Sequence, residues 1–334
     1  MAVTLAWLVA SAAVIYFSCQ GFVNGVEWLG RQLNLTQTAT GTVLAAFGTA
    51  LPESIVTLVA TGFGDSSAQR AIGVGTAIGG PLVLSTVAYG VVGGMLLLNA
   101  RRLGRAANPR IEVDTRRLRH DQRWFLGIFA VKITLGLVVF AWKPWLGFAF
   151  LSAYALYILR ELRAEGAADE GEEIEPLKLR PRDENPAVWW AGLQTAIALV
   201  AIFAASHFFV HQIELLGPQL GFAPELTALL FSPLATELPE TMNAIIWVRQ
   251  GKERLALANI SGAMMIQATV PTAFGLFWTP WLLSAPLLIA AGATAVAVVY
   301  LQWIFRQRHV KGRSLTHAAW LYLVFAALTA WRLA

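Results

Sequence analysis

Charge is scarce in this chain. Of 334 residues only 13% are Asp, Glu, Lys or Arg, against roughly 25% in an ordinary soluble domain, which excludes a soluble globular reading. Cysteine is scarcer still: Cys19 stands alone, with no second thiol for an internal disulfide and no companions for a cysteine-based metal centre. Catalytic patterns are missing too. His207 and His211 are spaced one helical turn apart but lack the glutamate between them that a zinc hydrolase needs, and no nucleophile–base pair stands out, so an enzyme is not expected. The net charge of +5 comes without a basic patch interleaved with stacking aromatics, so nucleic acid is not expected as a partner. The N-terminus lacks the basic start of a secretory signal and reads as a retained first helix.

What the chain has in abundance is apolar sequence, 57% of its residues. Runs long enough to cross a hydrocarbon core of about 30 Å, at about 20 residues each, recur near residues 2–22, 38–62, 71–98, 124–142, 144–160, 187–212, 224–248, 255–278, 280–304 and 315–333. The expected fold is therefore an all-α polytopic membrane protein of ten transmembrane helices. The basic loops agree with that count. Segment 101–123 carries eight arginines, and Arg249, Lys252 and Arg254, then Arg306, Arg308, Lys311 and Arg313, follow the seventh and ninth runs. With ten spans these loops share one side, which the positive-inside rule makes cytoplasmic, leaving both termini outside an inner-type cell membrane. The lipid bilayer is the expected partner, and no obligatory protein partner is evident.

A polar, partly acidic stretch, 162–186, separates five runs from five and reads as a solvated cytoplasmic linker between a first half, 1–161, and a second, 187–334. Sliding residues 22–53 over 209–240 reveals an ungapped repeat. At the constant offset 240 − 53 = 187, twelve of 32 positions are identical: Phe22, Val23, Glu27, Leu29, Gly30, Gln32, Leu33, Thr40, Thr49, Leu51, Pro52 and Glu53 meet their own kind. Shared membrane composition does not explain matched Glu, Gln and Pro. Because each half has an odd number of spans, the second enters the membrane in the opposite sense, giving two inverted five-helix repeats. Such transporters place their substrate at the midplane, where interrupted helices of the two halves meet.

The chemistry sits in Gly48-Thr49-Ala50-Leu51-Pro52-Glu53 of the second run and Ala235-Thr236-Glu237-Leu238-Pro239-Glu240 of the seventh. A mid-span proline removes a helical hydrogen bond and frees carbonyls. A carboxylate at the bilayer centre costs at least about 2.5 kcal/mol and is rarely kept without a role. Glu53, Glu237 and Glu240 with Thr49 and Thr236 make an all-oxygen set suited to a hard cation such as Ca2+, which takes about 6 to 8 oxygens. Asn243 and Thr57, on the same helical faces as the two paired glutamates, are secondary candidates, as are Asn259 and Gln267. Glu27 and Glu214, related by the repeat, are either entrance carboxylates or helix-end caps.

These two segments resemble the alpha-repeats of the cation/calcium exchanger superfamily, whose signature is G-T-S-L-P-E. GTALPE matches closely, ATELPE recognisably, and the likeness extends upstream through GVEWLGRQLNL and over essentially the whole chain. The resemblance implies Ca2+ as metal cargo held between Glu53 and Glu240, with Thr49 and Thr236 as further ligands for Ca2+ or the counter-ion. It also implies a secondary active antiporter exporting Ca2+ against Na+, with no bound cofactor. The family's second motif, G-N-x-x-G-S-N-x-x-N or D, falls on Gly75 to Leu84 and Ala258 to Gln267, and only part of it survives. Asn259 is kept, but the serine positions hold Gly80 and Ala263 and the final polar positions hold Leu84 and Gln267. Fewer sodium ligands, the extra Glu237 and a leucine like that of the proton-coupled branch keep H+-coupled exchange of Ca2+ or another divalent cation open as the rival, with a passive cation channel as a more distant one.

Overall fold

The computed structural model describes all residues except 1, 64–66, 103, 105–108, 112, 164–173, 220–231, 308 and 334. Side chains at some further helical positions, among them 51–53, 207, 214 and 235, are also outside the description.

The first half begins with α1 (Ala2–Gln32). A π-helical segment, Thr40–Ala45, leads into α2 (Ala46–Gly62). Helix α3 (Ser67–Val83) passes through a second π segment, Leu84–Ala88, into α4 (Tyr89–Asn99). Helices α5 (Thr115–Leu135) and α6 (Leu146–Arg163) complete the half. The second half follows the same order: α7 (Val188–Gln219), the broken span α8 (Ser232–Thr236) and α9 (Leu238–Arg249), α10 (Glu253–Trp278), α11 (Ala285–Ile304), and α12 (Gly312–Thr316) running into α13 (Ala318–Leu333). The ends of α1 and α7 obey the repeat, since 219 − 32 = 187.

Seven helices among the described residues are long and apolar enough to span a membrane on their own. The remaining three expected spans have identifiable reasons for falling short. The second opens with a π segment, the seventh is broken, and the fourth carries polar residues along its first turns. That fourth helix differs from the expected 124–142. It starts at Thr115, where the Asp114 carboxylate accepts from the amides of Arg116 and Arg117 at 3.0 Å each, an N-cap, and it ends at Gly136. Its polar residues face protein: Asp121 accepts from Ser261 at 3.2 Å and Gln122 donates to the Tyr89 hydroxyl at 2.9 Å.

Helix α10 is the centre of the bundle. It is buried along nearly its full length, its polar Asn259, Ser261 and Gln267 included, and it packs against α2, α3, α5, α6 and α9. Close crossing with the second span depends on Gly262, where a Cβ would lie 2.4 Å from the Thr42 carbonyl oxygen, and on Gly41, where one would lie 2.7 Å from the Ala258 Cβ. Small residues at such crossings are the usual means of bringing membrane helices together.

The repeat-related α1 and α7 lie along one another as the most extensive helix pair. At 31 and 32 residues, about 47 Å at 1.5 Å per residue, they exceed the bilayer core and must tilt. Much of α1 faces outward, with Val3, Trp7, Val9, Val14 and Phe17 exposed.

One expectation is extended and another corrected. Most of the described linker, 174–186, is exposed to solvent, but it is also anchored to the bundle at Leu177. Leu177 is buried with Trp28 and Ala191, the Glu175 carbonyl accepts from Asn24 Nδ2 and Trp28 Nε1 at 3.0 Å each, and the Leu179 amide donates to Gln194 at 2.9 Å. Glu27 is neither an entrance carboxylate nor an exposed cap: it is buried, accepts from Trp247 Nε1 at 2.8 Å and pairs with Lys252, tying α1 to the end of α9. The corresponding side chain of Glu214 is outside the described residues, as is that of His207, whereas His211 is exposed. A two-residue antiparallel pairing of Arg110–Ile111 with Val310–Lys311 joins the arginine-rich loops of the two halves at one end of the bundle.

Candidate functional site

Both signature segments sit where a span departs from regular α-helix. In the first half the π segment ends at Ala45, and α2 then continues without interruption through Pro52 and Glu53. Insertions of this kind widen a helix locally and are frequent at functional positions. Thr49 is buried and donates from Oγ1 to the Ala45 carbonyl at 3.1 Å. The backbone of Glu53 is helical, but its side chain lies outside the described residues, so the expected pairing of Glu53 with Glu240 is not visible.

The second half breaks outright. Helix α8 stops at Thr236, Glu237 lies between at φ −86° and ψ 8°, and α9 restarts at Leu238 with Pro239 in its first turn. A proline there lacks only an N–H that has no helical acceptor anyway. The stagger is held locally: the Glu237 amide donates to the Pro233 carbonyl at 3.1 Å, and its carbonyl accepts from the Thr241 hydroxyl at 3.0 Å. Thr236, half-buried, donates to the Pro233 carbonyl at 3.2 Å. Glu240, 1% exposed, is in the first turn of α9, where the helix dipole favours a negative charge. Cys19 of α1 touches the Pro239 carbonyl at 3.8 Å, bringing α1 against the break.

The Glu237 side chain is completely buried, and its Oε1 accepts from Gln267 Nε2 of α10 at 2.6 Å. Room for this pair comes from Gly80 of α3. A Cβ on Gly80 would stand 2.6 Å from Gln267 Oε1 and 2.8 Å from Glu237 Oε1. A missing side chain on α3 is thus matched by an added carboxylate on the seventh span.

Asn243, Asn259 and Thr57 are fully buried, and among the described residues none of their side-chain polar atoms has a hydrogen-bond partner. Each buried polar group left without a partner costs about 1–3 kcal/mol, and native proteins leave few of them. Oxygens held this way are suited to a cation that passes through. Among the sequence candidates, Glu237 and Gln267 are in direct contact. Among the described residues, to which the Glu53 side chain does not belong, no three His, Cys, Asp or Glu side chains cluster.

Sequence reasoning missed Lys132. It is completely buried on α5 and donates to the carbonyls of Ala77 at 2.6 Å and Gln267 at 3.2 Å. The signal was available: a lysine inside FLGIFAVKITLGLVV is an intramembrane ionisable residue, which marks function by default.

Long apolar helices in two inverted halves, with buried carboxylates at the helix interruptions, define a membrane transporter of the inverted-repeat class. The model of the sodium/calcium exchanger protein family matches residues 3–162 and 190–333, and the chain belongs to that family. It is 26% identical over 286 residues to the inner membrane protein YrbG of Escherichia coli K12, covering 84% of this chain and 81% of that one. It is 23% identical over 304 residues to the antiporter candidate CaxA of Alkalimonas amylolytica, covering 85% and 84%. Solved structures of the sodium-calcium exchanger NCX_Mj share the fold. One soaked with 2.5 mM Na+ and 0.1 mM Ca2+ superposes with a TM-score of 0.75 at 17% identity, over 97% of this chain and 98% of that chain. Another, without either ion, gives 0.75 over 98% and 99%.

Proposed function

We propose that this integral membrane protein is a secondary active antiporter that exports Ca2+ in exchange for Na+. The observation that carries the reading is the interrupted seventh span, which holds buried Glu237 at its break and buried Glu240 where the helix restarts; the buried amides of Asn243 on the same helix and Asn259 on α10 have no hydrogen-bond partner among the described residues. Glu53 and Glu240 supply the two charges that balance a divalent ion, and Thr49 and Thr236 supply neutral oxygens. Thr57, Asn243, Asn259 and Gln267 complete the polar lining. Because Ca2+ and the coupling ion compete for the same carboxylates, filling by one favours release of the other, and the carrier changes sides loaded with one or the other. The tilted pair α1 and α7, touching the site through Cys19, is suited to slide across it and expose it alternately.

In the same reading 1–161 and 187–334 are the two repeats and 162–186 joins them. The 101–123 and 306–313 loops, paired at one end of the bundle, lie with the linker in the cytoplasm, and both termini lie outside.

Coupling to H+ is the second reading, favoured by one observation: Glu237, a carboxylate that can carry a proton, stands with Gln267 in the space left by Gly80. Uptake of radiolabelled Ca2+ into proteoliposomes, driven in turn by an outward Na+ gradient and an outward H+ gradient at clamped potential, separates the two. Uptake with Na+ alone supports the first, uptake with H+ alone supports the second, and no uptake with either overturns Ca2+ antiport.

A further inference from the structure

Lys132 is buried to 0% exposure among the apolar residues of the second half of α5. An ammonium survives there only where oxygens replace its lost water. Its two acceptors share an origin. Ala77 stands four residues before Pro81 inside α3, and Gln267 stands four residues before Pro271 inside α10. Proline has no N–H, so each carbonyl has lost its helical donor and is turned toward the interior. Carbonyls released in this way are the ligands that transporters of this architecture use for alkali cations. Here they meet a cation that belongs to the chain. The ammonium also stands 5.5 Å from the Phe129 ring centroid, and the Lys132 carbonyl accepts from Trp281 Nε1 at 3.0 Å, which fixes the end of α5. The residue whose carbonyl takes the ammonium, Gln267, turns its side-chain amide to Glu237. The added positive charge and the added negative charge are therefore one residue apart.

We propose that the Lys132 ammonium is a built-in monovalent cation. It holds a place between the third and eighth spans that an alkali ion would otherwise occupy, so that each Ca2+ is exchanged for one coupling ion fewer. The proposal rests on the antiport reading and deepens it. Charge agrees with it: Glu237 adds one negative charge to the Glu53 and Glu240 pair, and Lys132 removes it again. A lysine that merely fills two kinks makes a different forecast, because a neutral donor would then serve as well.

Lys132→Gln keeps a donor for the carbonyls and removes the charge, while Lys132→Arg keeps both. In proteoliposomes, Ca2+ uptake is measured against the concentration of the coupling ion, and the charge moved per Ca2+ is read from the reversal potential. Lys132→Arg is expected to follow the wild type. Lys132→Gln is expected to respond more steeply, with one more coupling ion and one more charge per Ca2+, and NaCl but not choline chloride should raise its melting temperature above the shift seen in the wild type. A folded Lys132→Gln protein with wild-type steepness, charge and salt response overturns the proposal. Where the single change prevents folding, Lys132→Gln with Glu237→Gln removes both signs together. It is expected to move the wild-type charge per Ca2+, and any other value counts against the proposal. A wild type that transports no Ca2+ under any gradient defeats the antiport reading instead, and leaves the salt-dependent melting shift to decide the role of Lys132.

Discussion

The second and seventh spans carry the same Thr-x-Leu-Pro-Glu pattern and differ in its variable residue, Ala50 against Glu237, yet their backbones solve the same problem differently. The first loosens its helix ahead of the motif with a π segment and then runs on unbroken; the second, described from Ser232, is helical to Thr236 and breaks within the motif. Alanine has the highest helix propensity and asks nothing of its surroundings when buried. A buried glutamate needs a partner, and Glu237 finds it across the bundle in Gln267. The duplicated motif is thus kept in both halves, and Glu237 adds a second buried carboxylate at the helix break of one copy.

The largest expected effect tests what the copies share. Glu240→Gln is expected to reduce Ca2+ uptake to background while size-exclusion behaviour stays that of the wild type, and Glu53→Gln to do the same; transport surviving in one of the two would make the halves unequal. Next comes what they do not share. Glu237→Ala gives the seventh span the alanine of the second, and it is expected to leave Ca2+ uptake measurable while flattening its dependence on pH. Unchanged pH dependence would remove Glu237 from coupling.

Gly80→Ala presses a methyl on the Glu237 and Gln267 pair. It is expected to weaken apparent Ca2+ affinity about 10-fold, the scale of disturbing a supporting hydrogen bond, as read from the concentration dependence of uptake. The smallest effect is on the frame. Gly262→Ala places a Cβ against the Thr42 carbonyl, and it is expected to destabilise the purified protein by about 1–3 kcal/mol, seen as a lower melting temperature.

The long apolar spans, the inverted repeat and both signature segments were legible because each leaves a one-dimensional trace: apolar length, constant offset, or a proline beside an acid in an apolar run. What stayed hidden depends on what a residue faces. Hydropathy cannot distinguish a polar residue turned to water from one turned to protein, so Asp121 and Gln122 hid the start of α5, and Leu177 looked like part of a solvated linker although it is buried against Trp28. The match between Gly80 and Glu237 was invisible for the same reason: the positions are far apart in sequence and meet only when α3 packs beside the broken span. Lys132 was readable as an anomaly, but its acceptors became apparent only when the carbonyls ahead of Pro81 and Pro271 were seen to converge on it.

In the proposed exchanger one carboxylate from each half, Glu53 and Glu240, holds a single Ca2+. Titration calorimetry of Ca2+ into the purified wild type, Glu53→Gln and Glu240→Gln tests it most directly. One Ca2+ per chain is expected in the wild type and none in either variant at the same concentrations. Undiminished binding in a folded Glu53→Gln or Glu240→Gln protein would contradict it.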